Sequence, residues 1–313
     1  MILLARQPSD LQKILEVVLR RLPQTHNNYA YYGERLSRVQ AGLAGEQRVD
    51  AEWLEIDLPT PHYFLHDFQT TNSYGFTYQM DTIFLCPHFL LILEIKNITG
   101  NLSYDVPFAQ FTRTTLDGTV EGMTDPFVQL DRHVIWMKKL LLREHFELPI
   151  VHAVVLATKN GILTKGFEGQ PIFHVKGLRF HLQKWIEHYQ PRERVDLLQL
   201  ANLLLSLHTK LKKEVEVPLK EMVKGVLCPQ CGSVQRLKYH YKKWICPRCG
   251  LVDDDALLRT LEDYRLLVGQ QVTNRSFREF FGIDSPDLAY KLLQQLPLKA
   301  EGVKKHRKYW IKE

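Results

Sequence analysis

The run from Gln79 to Asn97 constrains this chain more than any other stretch. Ile83-Phe84-Leu85-Cys86 and Phe89-Leu90-Leu91-Ile92-Leu93 are apolar and β-prone, and they meet at Pro87-His88, a turn signal. A hairpin centred on that pair sets Asp81 opposite Glu94 and Gln79 opposite Lys96. Because strand side chains alternate, all four project to one side. Two opposed carboxylates repel, and among apolar neighbours they are tolerated only with a cation between them. Asp and Glu oxygens suit Mg²⁺ or Mn²⁺, ions that keep waters for chemistry. Lys96 is placed to orient a nucleophilic water or to stabilise charge on a phosphate in transfer. The same spacing also fits a buried strand pair whose polar residues are salt-bridged or incidental.

Asp81 followed, twelve residues on, by Glu94-x-Lys96 resembles the PD-(D/E)xK nuclease signature, with Met80 in the place of its proline. Gln79-Met80-Asp81, Ile92-Leu93-Glu94-Ile95-Lys96-Asn97 and Gly100 together resemble the nuclease-related domain (NERD) family. Gly45-Glu46 is similar to that family's early Gly-Glu. Asp125-Pro126 with Gln129 and Arg132-His133 is similar to its downstream Asn-Pro…Gln segment, Asp125 replacing the Asn. The likeness covers about residues 40–155. It implies a restriction-endonuclease-like α/β fold, a mixed sheet flanked by helices, and phosphodiester hydrolysis. It further implies that Glu46 joins Asp81 and Glu94 at the metal, that Lys96 is the catalytic cation, and that Gln79 and Gln129 position substrate or water. Without the likeness, Glu46 reads as a solvated helix charge. His133, one helical turn from Gln129, reads either as a phosphate contact or as an exposed helix residue.

At 313 residues the chain is long enough for two or three domains. A net charge of +6 permits a polyanion partner without requiring one. No apolar run reaches the length of a membrane span and the N-terminus lacks a signal-peptide pattern, which predicts a cytoplasmic protein. Of the five cysteines, four form a metal-ligand pattern and Cys86 falls in an apolar strand as a small core residue.

Ser9 or Asp10 caps an expected helix through Leu19, and residues 24–41 read as a Tyr-rich lead-in with a short helix. A helix is expected from Gly42, then strands at His62–Phe68 and in the central hairpin, and a further strand and loop from Ser103 to Thr114. Pro126 starts a helix with Leu130, Val134, Met137, Leu140 and Leu141 on one face. Ile150–Leu156 reads as a strand buried on both faces, Ile172–Val175 as another. Two closing helices follow, around Leu182–Tyr189 and from Arg194 to Lys213.

Cys228-x-x-Cys231-Gly232 and Cys246-x-x-Cys249-Gly250 are two copies of one knuckle. Four thiolates at this spacing indicate a closed, tetrahedral, structural Zn²⁺ site, and the sequence resembles a zinc ribbon. Between the knuckles, Lys238, Lys242 and Lys243 interleave with Tyr239, Tyr241 and Trp244. Such a surface can track phosphates and stack bases, although at least one of these aromatics is needed to pack around the zinc. Farther on, a helix through Leu257–Tyr264, one at Ser276–Phe281 ended by Gly282, one from Ser285-Pro286, and a hairpin tipped by Lys304, Lys305, Arg307 and Lys308 resemble a winged helix. The likeness implies that the helix from Ser285 enters the major groove and that the basic tip meets phosphates. A small helical protein-interaction module is the alternative.

The expected order is therefore a helical lead-in (1–40), a nuclease-like domain (41–190), a helical linker (191–224), a zinc ribbon (225–252) and a winged-helix-like domain (253–313). The expected function is a Mg²⁺- or Mn²⁺-dependent DNA-processing nuclease. Its rivals are an inactive DNA-binding regulator or scaffold and an RNA nuclease.

Overall fold

A computed structural model describes residues 1–191, 195–211, 215–232, 234–303 and 307–311. The chain divides into two units, Met1–Gln7 with Gln40–Lys212, and Pro8–Val39 with Lys213–Glu313. In chain order the elements begin with β1 (Ile2–Leu4), α1 (Asp10–Arg21), α2 (Tyr29–Glu52), β2 (Tyr63–Thr71), β3 (Thr77–Leu85) and β4 (Leu90–Lys96). Then come β5 (Gly100–Asp105), β6 (Gln110–Thr114), β7 (Val120–Met123), α3 (Pro126–Arg143), β8 (Ile150–Leu156), β9 (Gly161–Lys165), β10 (Ile172–His174), α4 (Leu178–His188) and α5 (Leu197–Leu207).

In the first unit a six-stranded sheet runs β1-β2-β3-β4-β8-β10. The β2–β3–β4 meander is antiparallel, whereas β1 on β2, β4 on β8 and β10 on β8 are parallel. This is the expected mixed sheet flanked by helices. Pairing of β3 with β4 has the expected register: Leu85 faces Leu90, Ile83 faces Ile92 and Thr82 faces Leu93. Alternation sends Ile83, Leu85, Leu90 and Ile92 into a core with α3 and α5. Their neighbours Phe84, Leu91, Leu93 and Ile95 enter a second core with Val49 and Trp53 of the α2 region and with α4. Both faces are covered, which is why the run from Ile83 to Leu93 carries so few polar residues.

Several expectations change. Residues 24–41 are not a separate lead-in, because α2 is one helix of 24 residues. Gly33, Gly42 and Gly45 each cost a helix interior only about 1 kcal/mol, and no Pro interrupts them. Residues 1–7 belong to the sheet unit and 8–39 to the other, so the lead-in is divided. Ser103–Thr114 is two strands, part of a second, four-stranded sheet β7-β6-β5-β9. The segment expected as a helical linker holds α5, whose Leu200 and Leu204 are fully buried in the first unit's core.

Of the second unit's elements, α1 comes early in the chain. The others are the hairpin β11 (Lys238–His240) and β12 (Lys243–Ile245), then α6 (Ala256–Leu267), β13 (Gln271–Val272), α7 (Asn274–Phe281), α8 (Pro286–Leu293), β14 (Leu298–Glu301) and β15 (Lys308–Ile311). The last three strands form a sheet of order β13-β15-β14. Thr273 and Ser276 make a capping box on α7, and Gly282 ends it in the left-handed conformation. Within this unit α1 packs on α6, and Arg21, 1% exposed, pairs with Asp263 at 2.7 Å.

Gly45 explains why the early Gly-Glu pair has its form. A Cβ there would lie 2.6 Å from Asn97 Cβ and 3.3 Å from Ala157 Cβ. Asn97 and Arg48 lock the same approach, Asn97 Nδ2 donating to Ala41 O at 2.6 Å and Arg48 Nη1 to Asn97 Oδ1 at 3.0 Å. Glu46 is thereby carried to the end of β4. Gly45→Ala should lower unfolding stability by about 1–3 kcal/mol through overpacking, and Gly45→Val by more; chemical denaturation of the two variants checks the order.

Candidate active site and cysteine centre

The β3–β4 ladder stops one pair short of Asp81 and Glu94. Continuing its register would give the Ile95 N–H to the Met80 carbonyl. Asp81 Oδ2 accepts that N–H instead, at 2.7 Å, and the strand ends part around a carboxylate. Glu94, next along β4, is 2% exposed. Its Oε1 accepts from Lys96 Nζ at 2.7 Å, and Lys96 Nζ also donates to Gln129 Oε1 at 3.3 Å. Asp125 caps α3 through Phe127 N at 2.7 Å and accepts from Tyr104 OH at 3.0 Å, so Asp serves at the helix start where the family has Asn.

The structure brings Glu94, Lys96 and Gln129 into one hydrogen-bonded chain, with Asp81 alongside. It does not bring Gln79 to Lys96. Gln79 Nε2 donates to Asp67 Oδ1 at 2.7 Å. Flanked by the pairs His66–Thr82 and Phe68–Met80, Asp67 lies opposite Asp81 yet outside the ladder, in the left-handed region at φ 50°. For a non-glycine residue within a strand that conformation is strained. Asp67 is a carboxylate the sequence reading missed; the turn signal at Asn72–Gly75 would have set it opposite Asp81.

Arg6 was also missed. Its Nη1 donates to Glu46 Oε2 at 2.6 Å, its Nε to Asp50 Oδ2 at 2.7 Å, and its Nη2 to Asp81 O at 3.1 Å and Thr82 Oγ1 at 3.0 Å. The Thr82 side chain alternates with that of Ile83 and so lies on the α2 side of the sheet. Glu46 is therefore held by Arg6 on that side, not free as a solvated charge. His133 is buried, not exposed: its Nδ1 has no hydrogen-bond partner and lies 3.8 Å from Glu94 Oε2. Burial, then the charges of Arg132 and Lys96, lowers its pKa to about 4. It stays neutral at physiological pH.

The carboxylates are crowded. Burial, reinforced by Asp81, raises Glu94 to about 8. Burial and Asp81 together raise Glu46 to about 7, against the pull of Arg6. Burial also raises Asp81, outweighing the Ile95 N–H and Lys96. Glu94 Oε2 is buried with no hydrogen-bond partner. A buried carboxyl oxygen without a partner, beside a second carboxylate, fits a hard divalent cation that would favour its ionised form.

The second centre is made of the cysteines. Cys228 Sγ lies 3.8 Å from Cys249 Sγ and Cys231 Sγ 3.7 Å from Cys246 Sγ. Zn–S bonds of about 2.3 Å in a tetrahedron give edges of about 3.8 Å, so the four atoms fit one such ion. Gly232 and Gly250 follow at φ 74° and 72°, the left-handed turns that fold each knuckle back. Trp244 is buried against Tyr239, ring centroids 5.1 Å apart, whereas Tyr241 is 87% exposed. Lys238, Lys242, Lys243 and Lys308 are exposed, and Arg307 Nη1 donates to Tyr290 OH at 3.4 Å. Lys304 and Lys305 lie outside the described residues.

Residues 41–157 match the family model of the nuclease-related domain, NERD. The matched segment runs from Ala41 of α2 to Ala157 just after β8, and so contains Glu46, Asp67, Asp81, Glu94, Lys96 and Gln129. No curated protein and no solved structure matches the chain. Among the described residues no helix is long and apolar enough to cross a membrane. The match to the nuclease-related domain therefore covers the splayed strand ends and the start of α3, while Arg6 reaches this segment from outside the match.

Two outcomes follow from these centres. Glu94 and Glu46 have folded-state pKa values above their ordinary 4.5. Their contribution to stability is complete below that value and is lost as pH rises through about 7 and 8. The metal-free protein should melt at progressively lower temperature between pH about 5 and about 9. Mg²⁺ should reverse the trend, increasingly so at higher pH, because ligands must be deprotonated; Glu94→Gln should flatten it. For the cysteines, metal analysis should find one zinc per chain in wild type and none in Cys246→Ser.

Proposed function

We propose that the chain is a metal-dependent nuclease that hydrolyses phosphodiester bonds in DNA. The observation that carries this reading is the buried, unpartnered Glu94 Oε2 beside Asp81, with Lys96 on the other oxygen, inside a segment that matches the nuclease-related domain. Asp81 and Glu94 would hold Mg²⁺ or Mn²⁺, which when bound activates water and screens charge on the phosphate. Lys96 keeps its proton: burial lowers its pKa, but Glu94, Asp81 and Glu46 together raise it more, so the net shift is upward. It is thus a standing cation for a phosphate oxygen. Gln129 fixes the Lys96 ammonium from α3, and neutral His133 backs Glu94 without adding charge. Glu46 and Gln79 act through Arg6 and Asp67, as positioning residues.

Residues 225–311 supply affinity in this reading. The three helices α6–α8 with the sheet β13-β15-β14 support a winged helix. Asp284 and Asp287 are exposed at the start of α8, so attraction to phosphates falls to Lys291, Arg307, Lys308 and the ribbon lysines. The four cysteines would hold structural Zn²⁺ and so fix the ribbon that presents Lys238, Lys242 and Lys243.

Plasmid nicking in Mg²⁺ tests the assignment. Asp81→Asn and Glu94→Gln should each lose about 100-fold or more in rate while retaining DNA binding. Equal nicking by wild type and Asp81→Asn would reject it. Faster cleavage of matched RNA would move the substrate to RNA, and metal-independent DNA binding with no cleavage in wild type would leave a DNA-binding regulator.

A further inference from the structure

Arg6 makes the densest polar network around the site, and the reaction just described uses it only to link Glu46 to the strand ends. The side chain is 5% exposed. Besides Glu46, Asp50, Asp81 O and Thr82 it lies 3.3 Å from His66 Nδ1. Its delivery is built into the sheet: Ile2 and Leu4 pair with Phe64 and Leu65, and the terminal ammonium donates to His62 O at 2.9 Å. A short parallel edge strand thus brings one guanidinium under the strand ends.

Two-metal phosphodiesterases place their ions about 3.5–4 Å apart with carboxylates shared between them. Here the carboxylate that could serve a second ion, Glu46, has Oε2 in a charge-assisted bond to Arg6, and Asp50 takes two more of the same guanidinium's N–H groups at 2.7 and 3.2 Å. Among the described residues, the only set of three or more His, Cys, Asp or Glu ligand atoms within 4.8 Å of one another is the cysteine cluster. Glu46 therefore does not converge with Asp81 and Glu94.

We propose that Arg6 occupies the position of a second metal, so that the site takes a single divalent ion, held by Asp81 and Glu94, with Glu46 serving as the anchor of Arg6. The inference rests on the metal-dependent reading above and deepens it. Five planar N–H donors make Arg the fitting residue, because one ammonium cannot hold two carboxylates, a carbonyl and a hydroxyl together.

Mn²⁺ titration of the zinc-loaded full chain, by calorimetry and by electron paramagnetic resonance, tests it without reference to turnover. Wild type should bind one Mn²⁺ that Asp81→Asn abolishes. Arg6→Gln should bind two, the second lost again in Arg6→Gln/Glu46→Gln. Glu46→Gln with Arg6 intact should still bind one, and this variant decides the matter should Arg6→Gln not fold by circular dichroism. Two ions in wild type, one ion in folded Arg6→Gln, or loss of the ion in Glu46→Gln would each overturn the proposal and leave the nuclease reading standing. No Mn²⁺ bound by wild type would overturn both.

Discussion

At the parting of β3 and β4 a side chain replaces a backbone carbonyl. The Ile95 N–H goes to Asp81 Oδ2 and not to Met80 O, and that exchange ends the ladder. The gap lets Glu94 turn inward, admits Lys96 and Gln129 from the α3 side, and opens the α2 side to Arg6. A regular hairpin would have buried two facing carboxylates within a closed sheet, at several kcal/mol per unpaired ion. Ending the ladder at this point confines the charge to one place and leaves the apolar strands beyond it undisturbed.

Each carboxylate near that gap has its own supporting contact. Asp81 has a backbone N–H, Glu94 has Lys96, Asp67 has Gln79 and Gln69, and Glu46 with Asp50 has Arg6. The supports come from four separate stretches of chain, so the arrangement is fixed by the fold and not by any one loop. Preorganisation of this kind lets a site hold charge without reorganising when charge develops on a substrate. The oxygen left over, Glu94 Oε2, is the one a hard cation fits.

Much of this was legible beforehand. The register of β3 on β4 followed from the position of Pro87-His88 between two apolar runs, whereas Gln129 was marked by the family resemblance and its contact with Lys96 came only from the structure. The cysteine knuckles were plain from spacing and glycines. Arg6 was not legible, because it reaches Asp50 across 44 residues and nothing local marks it. Asp67 was hidden by a positive φ that no propensity assigns to an aspartate in a strand. His133 looked exposed because one polar residue on a helix gives no sign of which side the sheet covers.

What the sequence determined by itself was local: strand alternation, helix caps, the two-turn metal knuckles, and the pairing of one hairpin about its turn. These depend on neighbours a few residues away, where periodicity and turn chemistry act. Only the tertiary structure decided which charges share the gap at the strand ends, since long-range approach depends on how α2 closes on Asn97 at Gly45 and on where β1 joins the sheet edge. Electrostatic partners are chosen by distance in space, and distance in space is what a linear pattern does not contain.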